Sequence, residues 1–72
     1  MTVRDLRNVM EDCWFRIKSD TLEDENGDCL TLFDECHHEI FPKPLLDREV
    51  KWACVSDEED LGNYTTYINV FI

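Results

Sequence analysis

Four stretches of the chain alternate between apolar and polar residues, which is the pattern of half-buried β-strands. The last stretch alternates most cleanly and ends in a strongly apolar run. The predicted strands are residues 13–18, 29–33, 49–56 and 65–72.

A different spacing marks the N-terminus. Val3, Leu6 and Met10 form one apolar stripe at helical spacing. Thr2 and Asp5 match a capping box, with Asp5 in place of the usual glutamate. The predicted helix spans only about nine residues and would not be stable alone in water, so we expect it to pack on the sheet.

Turns and a proline-flanked crossing separate these elements. Residues 19–28 contain Asn26-Gly27, a strong turn dipeptide, and residues 57–63 form a second acidic turn. Between the two strand pairs, residues 41–46 contain two prolines, which exclude a strand interior and leave room for a short helical turn.

The sequence therefore predicts a single α+β domain over residues 1–72, with one short N-terminal helix on a four-stranded antiparallel sheet made of two hairpins. Strand one should pair with strand two, and strand three with strand four. In this register Trp52 faces the helix and should be more buried than Trp14. The expected contacts of the helix stripe are Phe15, Ile17, Val50, Trp52, Ile68 and Val70.

The net charge of the chain limits the kinds of partner that it can bind. The 72 residues carry a formal net charge of −10 at a pI of about 4.3, and the seven basic residues form no patch. Direct binding to nucleic acid needs clustered basic residues, and an anionic membrane would repel this surface, so we expect neither. A basic protein partner, a cation or simple solubility would each account for the charge.

Zinc is the one metal worth considering, and its signal is weak. Cys36-His37-His38 offers a corner of a site, but Cys13, Cys29 and Cys54 are widely separated and form no close ligand pair. We therefore expect free thiols, with Cys13 and Cys54 buried on the strand face that meets the helix. No cofactor is expected.

Enzymatic activity is not expected either. Cys36 lies beside two imidazoles, but adjacent positions of an extended chain point to opposite sides. His37 and Glu39 match the first part of a zinc-deaminase signature whose second, cysteine-containing part is absent. A domain of this size also has little room for a substrate pocket. The sequence predicts no catalytic residue.

Acidic residues concentrate in the two predicted turns. If the strands formed an up-and-down meander, both turns would lie at one end of the sheet and could mimic the phosphates of a nucleic acid. Two separately solvated turns are the alternative. The predicted acidic partner-binding residues are Asp20, Glu23, Asp24, Glu25, Asp28, Asp57, Glu58, Glu59 and Asp60.

A second predicted surface is aromatic. Trp14, Tyr67 and Phe71 point away from the helix-covered face, and one helix cannot cover both sides of a four-stranded sheet. Exposed aromatic residues are typical of an interface, either with a partner or with a second copy of the chain. A shifted register, or coverage by the proline-flanked crossing, would remove this surface.

Three segments carry a resemblance to a known group. Met-Thr-Val-x-x-Leu at the start, Pro-x-x-Leu-Leu-Asp-Arg-Glu-Val from Pro42 and the closing alternating strand resemble small proteins of phages and prophages of Firmicutes. The resemblance implies an accessory protein of the anti-CRISPR or another anti-defence type. It also implies the cytoplasm of a bacterial host, and the charged N-terminus agrees because it differs from a secretory signal.

The leading functional expectation is thus a small acidic binding protein that inhibits or sequesters a host nucleic-acid-handling protein, with nucleic-acid mimicry as one way in which it would act. The first alternative is a structural or oligomerising accessory protein with no inhibitory role. The second is a zinc-binding module built on Cys36, His37 and His38.

Overall fold

A computed structural model describes residues 1–10, 13–35 and 40–72 of the chain. The fold is α+β, with a short N-terminal helix and a four-stranded sheet. In the described part of the chain, no helix is long and apolar enough to cross a membrane. The elements are α1 (Val3–Val9), β1 (Trp14–Glu23), β2 (Cys29–Asp34), α2 (Lys43–Leu46), β3 (Trp52–Asp60) and β4 (Asn63–Phe71).

The sheet is mixed, and the prediction of a wholly antiparallel sheet is wrong. Its strand order is β2-β1-β4-β3. β1 pairs antiparallel with β2 and β3 pairs antiparallel with β4, as the sequence predicts. The two central strands, however, run parallel, with Trp14 opposite Tyr67 and Lys18 opposite Phe71. A parallel pair requires a long connection, and the stretch from β2 through α2 and β3 provides one.

Helix α1 begins as the capping box predicts. The Asp5 backbone N–H donates to the Thr2 hydroxyl at 3.3 Å, and the Thr2 backbone N–H donates to the Asp5 carboxylate at 3.0 Å. These hydrogen bonds with Thr2 lower the pKa of Asp5 below its ordinary value. The cap satisfies backbone donors that a helix start otherwise leaves to solvent.

The hydrophobic core lies between the helices and one face of the sheet. Phe41, from the proline-flanked crossing, packs edge-on against Phe33 with ring centroids 4.6 Å apart, and it also meets Phe15 at 6.4 Å. Burial of such side chains is the main stabilising contribution in a domain this small. The buried core residues are Val3, Phe15, Ile17, Phe33, Ile68, Val70 and Ile72, and the residues packed against them include Leu6, Met10, Leu45, Leu46 and Val50.

Strand β3 starts at Trp52, later than predicted, and its side chains point to the opposite faces of the sheet from those predicted. The Val50 N–H donates to the Met1 carbonyl, so this part of the chain pairs with the N-terminal segment instead of β4. The Lys51 N–H then bonds to the Phe71 carbonyl, while Trp52 is the residue paired with Phe71. This irregularity breaks the alternation that links Val50 to Trp52. Trp52 therefore lies on the face opposite the helices, and the prediction that it faces them is wrong.

The acidic turns are also shorter than predicted. β1 continues to Glu23, and the first turn closes with the Asp24 N–H donating to the Asp28 carbonyl at 2.8 Å. The acidic stretch after residue 56 belongs to β3, and only Leu61 and Gly62 separate β3 from β4. Both have positive φ, 51° and 83°, which is the geometry of the tightest hairpin turns.

Candidate interaction face

The sheet face opposite the helices carries an ordered set of large side chains on its two central strands and on β3. Trp14 and Arg16 project from β1, Tyr67 and Phe71 from β4, and Trp52 from β3, because each is in register with its neighbours on the same side of the sheet. We call these five residues the tryptophan face. The described helices pack on the other side, against the core residues that alternate with them.

Arg16 occupies the middle of the tryptophan face. Its guanidinium carbon lies 4.1 Å from the centroid of the Tyr67 ring, a cation–π arrangement. The Nη1 atom donates to Glu58 Oε1 at 2.8 Å, and Nε donates to Asp34 Oδ2 at 3.2 Å. Arg16 thus joins β2 to β3 across the two central strands.

These contacts also shift the pKa values of Arg16 and Glu58. The hydrogen bond with Glu58 raises the pKa of Arg16, with the charges of Asp34 and Glu58 adding to the effect. The hydrogen bond from Arg16 lowers the pKa of Glu58 below its ordinary value. Because the Arg16 side chain is only 16% exposed, its charge requires these partners, and the three groups form one polar unit.

Trp52 stacks on Phe71 at the other end of the face. The ring centroids are 3.7 Å apart and the ring planes differ by 2°. The indole Nε1–H of Trp52 donates to Asp20 Oδ1 at 2.9 Å, and Lys51 Nζ lies 3.7 Å from Asp20 Oδ2. The Asp20 carboxylate therefore fixes the position of the indole on the ring beneath it.

Exposure divides the aromatic residues into two groups. Tyr67 and Phe71 are each 6% exposed, so the prediction that they present open rings to a partner is wrong. Arg16 lies over Tyr67 and Trp52 lies over Phe71. Trp14 and Trp52 are instead 44% and 48% exposed. The prediction that Trp52 is more buried than Trp14 is therefore wrong. Among the aromatic residues of this face, the two indoles are thus the ones open to a partner.

Between the two indoles the sheet face is polar, and its Asn69 side chain is hydrogen-bonded within the chain. Asn69 lies between Tyr67 and Phe71 on β4, and its Nδ2 donates to Ser56 Oγ at 2.9 Å. From the usual spacings of strands and residues, Trp14 and Trp52 are about 16 Å apart across this surface. A partner that contacts both indoles would cover Arg16 and Asn69 as well.

The two acidic turns lie at opposite ends of the sheet. The first follows the end of β1 and the second precedes the start of β4, and these two strands are parallel. The expected convergence of nine carboxylates therefore does not occur. Several of these residues have structural roles: Asp24 Oδ1 accepts from the Asn26 and Asp28 N–H groups, Asp57 accepts from the Thr66 hydroxyl, and Glu58 binds Arg16.

Metal ligands are not assembled within the described residues. No group of three or more His, Cys, Asp or Glu side chains there could hold a metal ion. Cys36, His37 and His38 lie outside the described residues, so the zinc hypothesis stays a prediction. Cys13 and Cys29 are partly buried free thiols, while Cys54 is exposed on the edge strand β3, and its predicted burial is wrong.

A depression of about 390 Å³ lies on the helical side, lined by Arg4, Arg7, Asn8 and Leu46. Arg4 pairs with Asp47 at 3.1 Å, and Arg7 pairs with a largely buried Glu35 carboxylate. Both cationic groups are therefore matched by carboxylates of the same chain. The depression offers an anionic ligand little unmatched charge.

Comparison with family models, curated proteins and solved structures finds no match to this chain. The resemblance to phage and prophage proteins accordingly stays a prediction. The candidate site rests on the geometry of the tryptophan face.

Sequence reasoning identified Trp14, but it gave Arg16 no role and missed the outward position of Trp52 and the role of Glu58. The place of Arg16 beside Trp14 on the outer face follows from the sequence, because Arg16 alternates with Phe15 and Ile17. Its link to Glu58 could not, because it depends on the order of strands in the sheet.

Proposed function

We propose that this chain is a small acidic binding protein that docks its tryptophan face on a basic protein surface. The observation that carries the proposal is the pair of half-exposed indoles, Trp14 and Trp52, on a sheet face that the described helices leave open. Tryptophan, tyrosine and arginine are the residues most enriched among those that dominate binding energy at protein interfaces.

Charge specifies the kind of partner. A net charge of −10 on 72 residues repels a second copy of the chain and attracts a cationic surface. At the face itself the carboxylates of Asp20 and Glu58 are matched by Lys51 and Arg16, so the attraction to a cationic surface comes from the net charge of the whole chain. Proteins that handle nucleic acids present extended basic surfaces, and the proposed role is to bind such a protein and keep it from its nucleic acid.

The proposal does not rely on phosphate mimicry by two convergent acidic turns. The parallel pairing of β1 and β4 places those turns at opposite ends of the sheet. Competition would arise because the tryptophan face occupies the basic surface that the nucleic acid would otherwise bind. The structural or oligomerising role is the alternative, and it would use the same indoles against a second copy.

Capture from bacterial lysate with variant controls tests the proposal. Trp14→Ser removes an exposed indole from the face, while Tyr64→Ser removes a 73% exposed aromatic ring from the opposite side of β4 and serves as the matched control. We expect wild type and Tyr64→Ser to retain nucleic-acid-binding proteins that duplex DNA displaces, and Trp14→Ser to lose them.

Two results would contradict the proposal. Equal recovery by Trp14→Ser and Tyr64→Ser would show that the face is not the contact surface. Light scattering that reports a dimer for wild type and a monomer for Trp14→Ser, without DNA-displaceable partners, would favour the oligomerising role.

A further inference from the structure

Among the described residues, no strand pairs with the outer edge of β3, and the backbone groups that point outward follow from the hydrogen bonds of β4. The Ile72 N–H donates to the Lys18 carbonyl, and the Ile72 carbonyl accepts from the Asp20 N–H. The backbone of Ile72 therefore faces β1. Because successive residues of a strand face alternate neighbours, Val70 and Ile68 face β1 as well, and the residues between them face β3.

The pairing of β3 with β4 then fixes which groups of β3 point outward. Trp52 is paired with Phe71 and Cys54 with Asn69, so these β3 residues use their backbone groups toward β4. The alternate residues direct their N–H and C=O groups to the open edge of the sheet. These outward residues are Ala53, Val55, Asp57 and Glu59.

The acidic second half of this edge opposes pairing with a second copy, but its first half, Trp52 to Val55, carries no charged residue and no proline. Its register with β4 is regular from Trp52 to Asp60, and the strand contains no proline and no lysine. The other edge strand, β2, is shorter and its pairing with β1 is interrupted by two register shifts. Most β3 side chains are exposed, including the apolar Val55 at 60%.

Charge along β3 is divided into two halves. The first half, Trp52 to Val55, carries no charged side chain, and the second half contains Asp57, Glu58 and Glu59 beyond Ser56. A second copy of β3 lacks the cationic residues that would complement the acidic half, and the net charge of −10 opposes its approach. A strand with basic residues in one half and apolar residues in the other fits both halves.

We propose that the β3 edge binds an extended cationic segment of a protein partner by adding it to the sheet as a fifth strand. Antiparallel pairing is the more stable arrangement, so the segment carries its basic residues N-terminally, opposite Asp57 and Glu59, and its apolar residues C-terminally, opposite Ala53 and Val55. This inference rests on the proposed binding role and specifies how the partner's backbone is held.

A synthetic peptide with three lysines followed by alternating threonine and valine is the probe, measured by fluorescence anisotropy. Val55→Pro removes one outward N–H without touching the β4 ladder, and Val55→Ala keeps that N–H while also shortening the side chain. We expect Val55→Ala to bind like wild type and Val55→Pro to bind at least about tenfold more weakly. Equal binding by the proline and alanine variants would overturn the inference.

Peptide methylation provides a test that needs no protein variant. N-methyl groups placed on one set of alternate residues should abolish binding to wild type, whereas methylation of the other set should leave it intact, because only one set faces β3. Equal effects of both sets would contradict strand addition even if Val55→Pro failed to fold.

The edge inference and the proposed role of the tryptophan face can be contradicted independently of each other. Trp14 lies on β1, two strands from the edge, so Trp14→Ser should bind the peptide as wild type does. Loss of peptide binding in Trp14→Ser would overturn the edge inference and leave the proposed face in place. Lysate capture that persists in Trp14→Ser would instead contradict the face and leave the edge in place.

Discussion

The indole of Trp52 lies parallel to the ring of Phe71, with centroids 3.7 Å apart, and covers it from solvent. Phe71 is on a central strand and Trp52 is on an edge strand, so the stack seals the open side of the sheet where no described helix does so. The same indole is half exposed and belongs to the proposed interface. One residue therefore serves both stability and binding.

The first prediction concerns this stack. Trp52→Ala should lower the free energy of unfolding by about 2 kcal/mol, because it uncovers Phe71 and removes the aromatic contact. Trp52→Phe keeps a ring on Phe71 but loses the hydrogen bond to Asp20, and should lower it by only about 0.5–1 kcal/mol. Urea unfolding monitored by circular dichroism measures both. Equal losses for the two variants would mean that the stack contributes little.

A second prediction follows from the ion pair of Arg16 and Glu58. The pKa of Glu58 is lower in the folded chain than its ordinary value of 4.5, so the stabilisation is present above that value and is lost as the pH falls through the lowered pKa. Since Glu58 is half exposed, we expect Glu58→Gln to destabilise the fold at pH 7 by at most about 1 kcal/mol.

The pH dependence distinguishes this pair from a general charge effect. The stability difference between wild type and Glu58→Gln should shrink as the pH is lowered from 6 to about 3. Glu59→Gln, one residue further along β3, removes the same charge and should show no such destabilisation at pH 7. A Glu59→Gln loss as large as that of Glu58→Gln would contradict a specific role for Arg16.

The turn between β3 and β4 gives a third prediction. Leu61 has a φ of 51° and is 95% exposed, so its side chain gains little from packing while its backbone is in a region that leucine rarely adopts. Leu61→Asn should raise the unfolding free energy by about 0.5–1 kcal/mol, because asparagine favours this conformation. A thermal melt is sufficient to detect the change.

Gly62→Ala is the opposing control for that turn. No heavy atom lies within 4 Å of the position that a Cβ would take, so any loss comes from the φ of 83° alone. We expect destabilisation by about 1 kcal/mol. An unchanged melting temperature in both variants would show that the turn conformation does not limit stability.

The fourth prediction tests the zinc alternative. Purified protein analysed for metals should contain far less than one equivalent of zinc, and Cys36→Ser should leave both zinc content and thermal stability unchanged. Near-stoichiometric zinc that Cys36→Ser removes would instead support a site that includes Cys36, His37 and His38, because bound structural zinc contributes directly to folding.

Local features of the fold were predictable because they depend on neighbours in sequence. The capping box of Thr2 and Asp5 and the outward position of Trp14 follow from spacings of a few residues. The same is true of Phe15 and Ile17, which alternate into the core as expected. These inferences need no knowledge of which strands are adjacent.

The phase of Trp52 and the direction of β4 were not predictable on that basis. A single irregularity at Lys51, set by the carbonyl of Phe71, moves Trp52 to the other face of the sheet. Nothing in the alternation of residues 65–72 indicates that β4 lies beside β1 and parallel to it. Both features are decided by contacts between distant parts of the chain, and the candidate face depends on both.

The placement of β4 between β1 and β3 has a consequence for how the chain acquires its structure. The central ladder joins Trp14 to Tyr67, residues more than fifty positions apart, so closing the sheet requires a long loop to form first. β4 is also synthesised after every other strand. A nascent chain on the ribosome can form the β1–β2 pair early, but its core stays open to solvent until the residues of β4 have emerged.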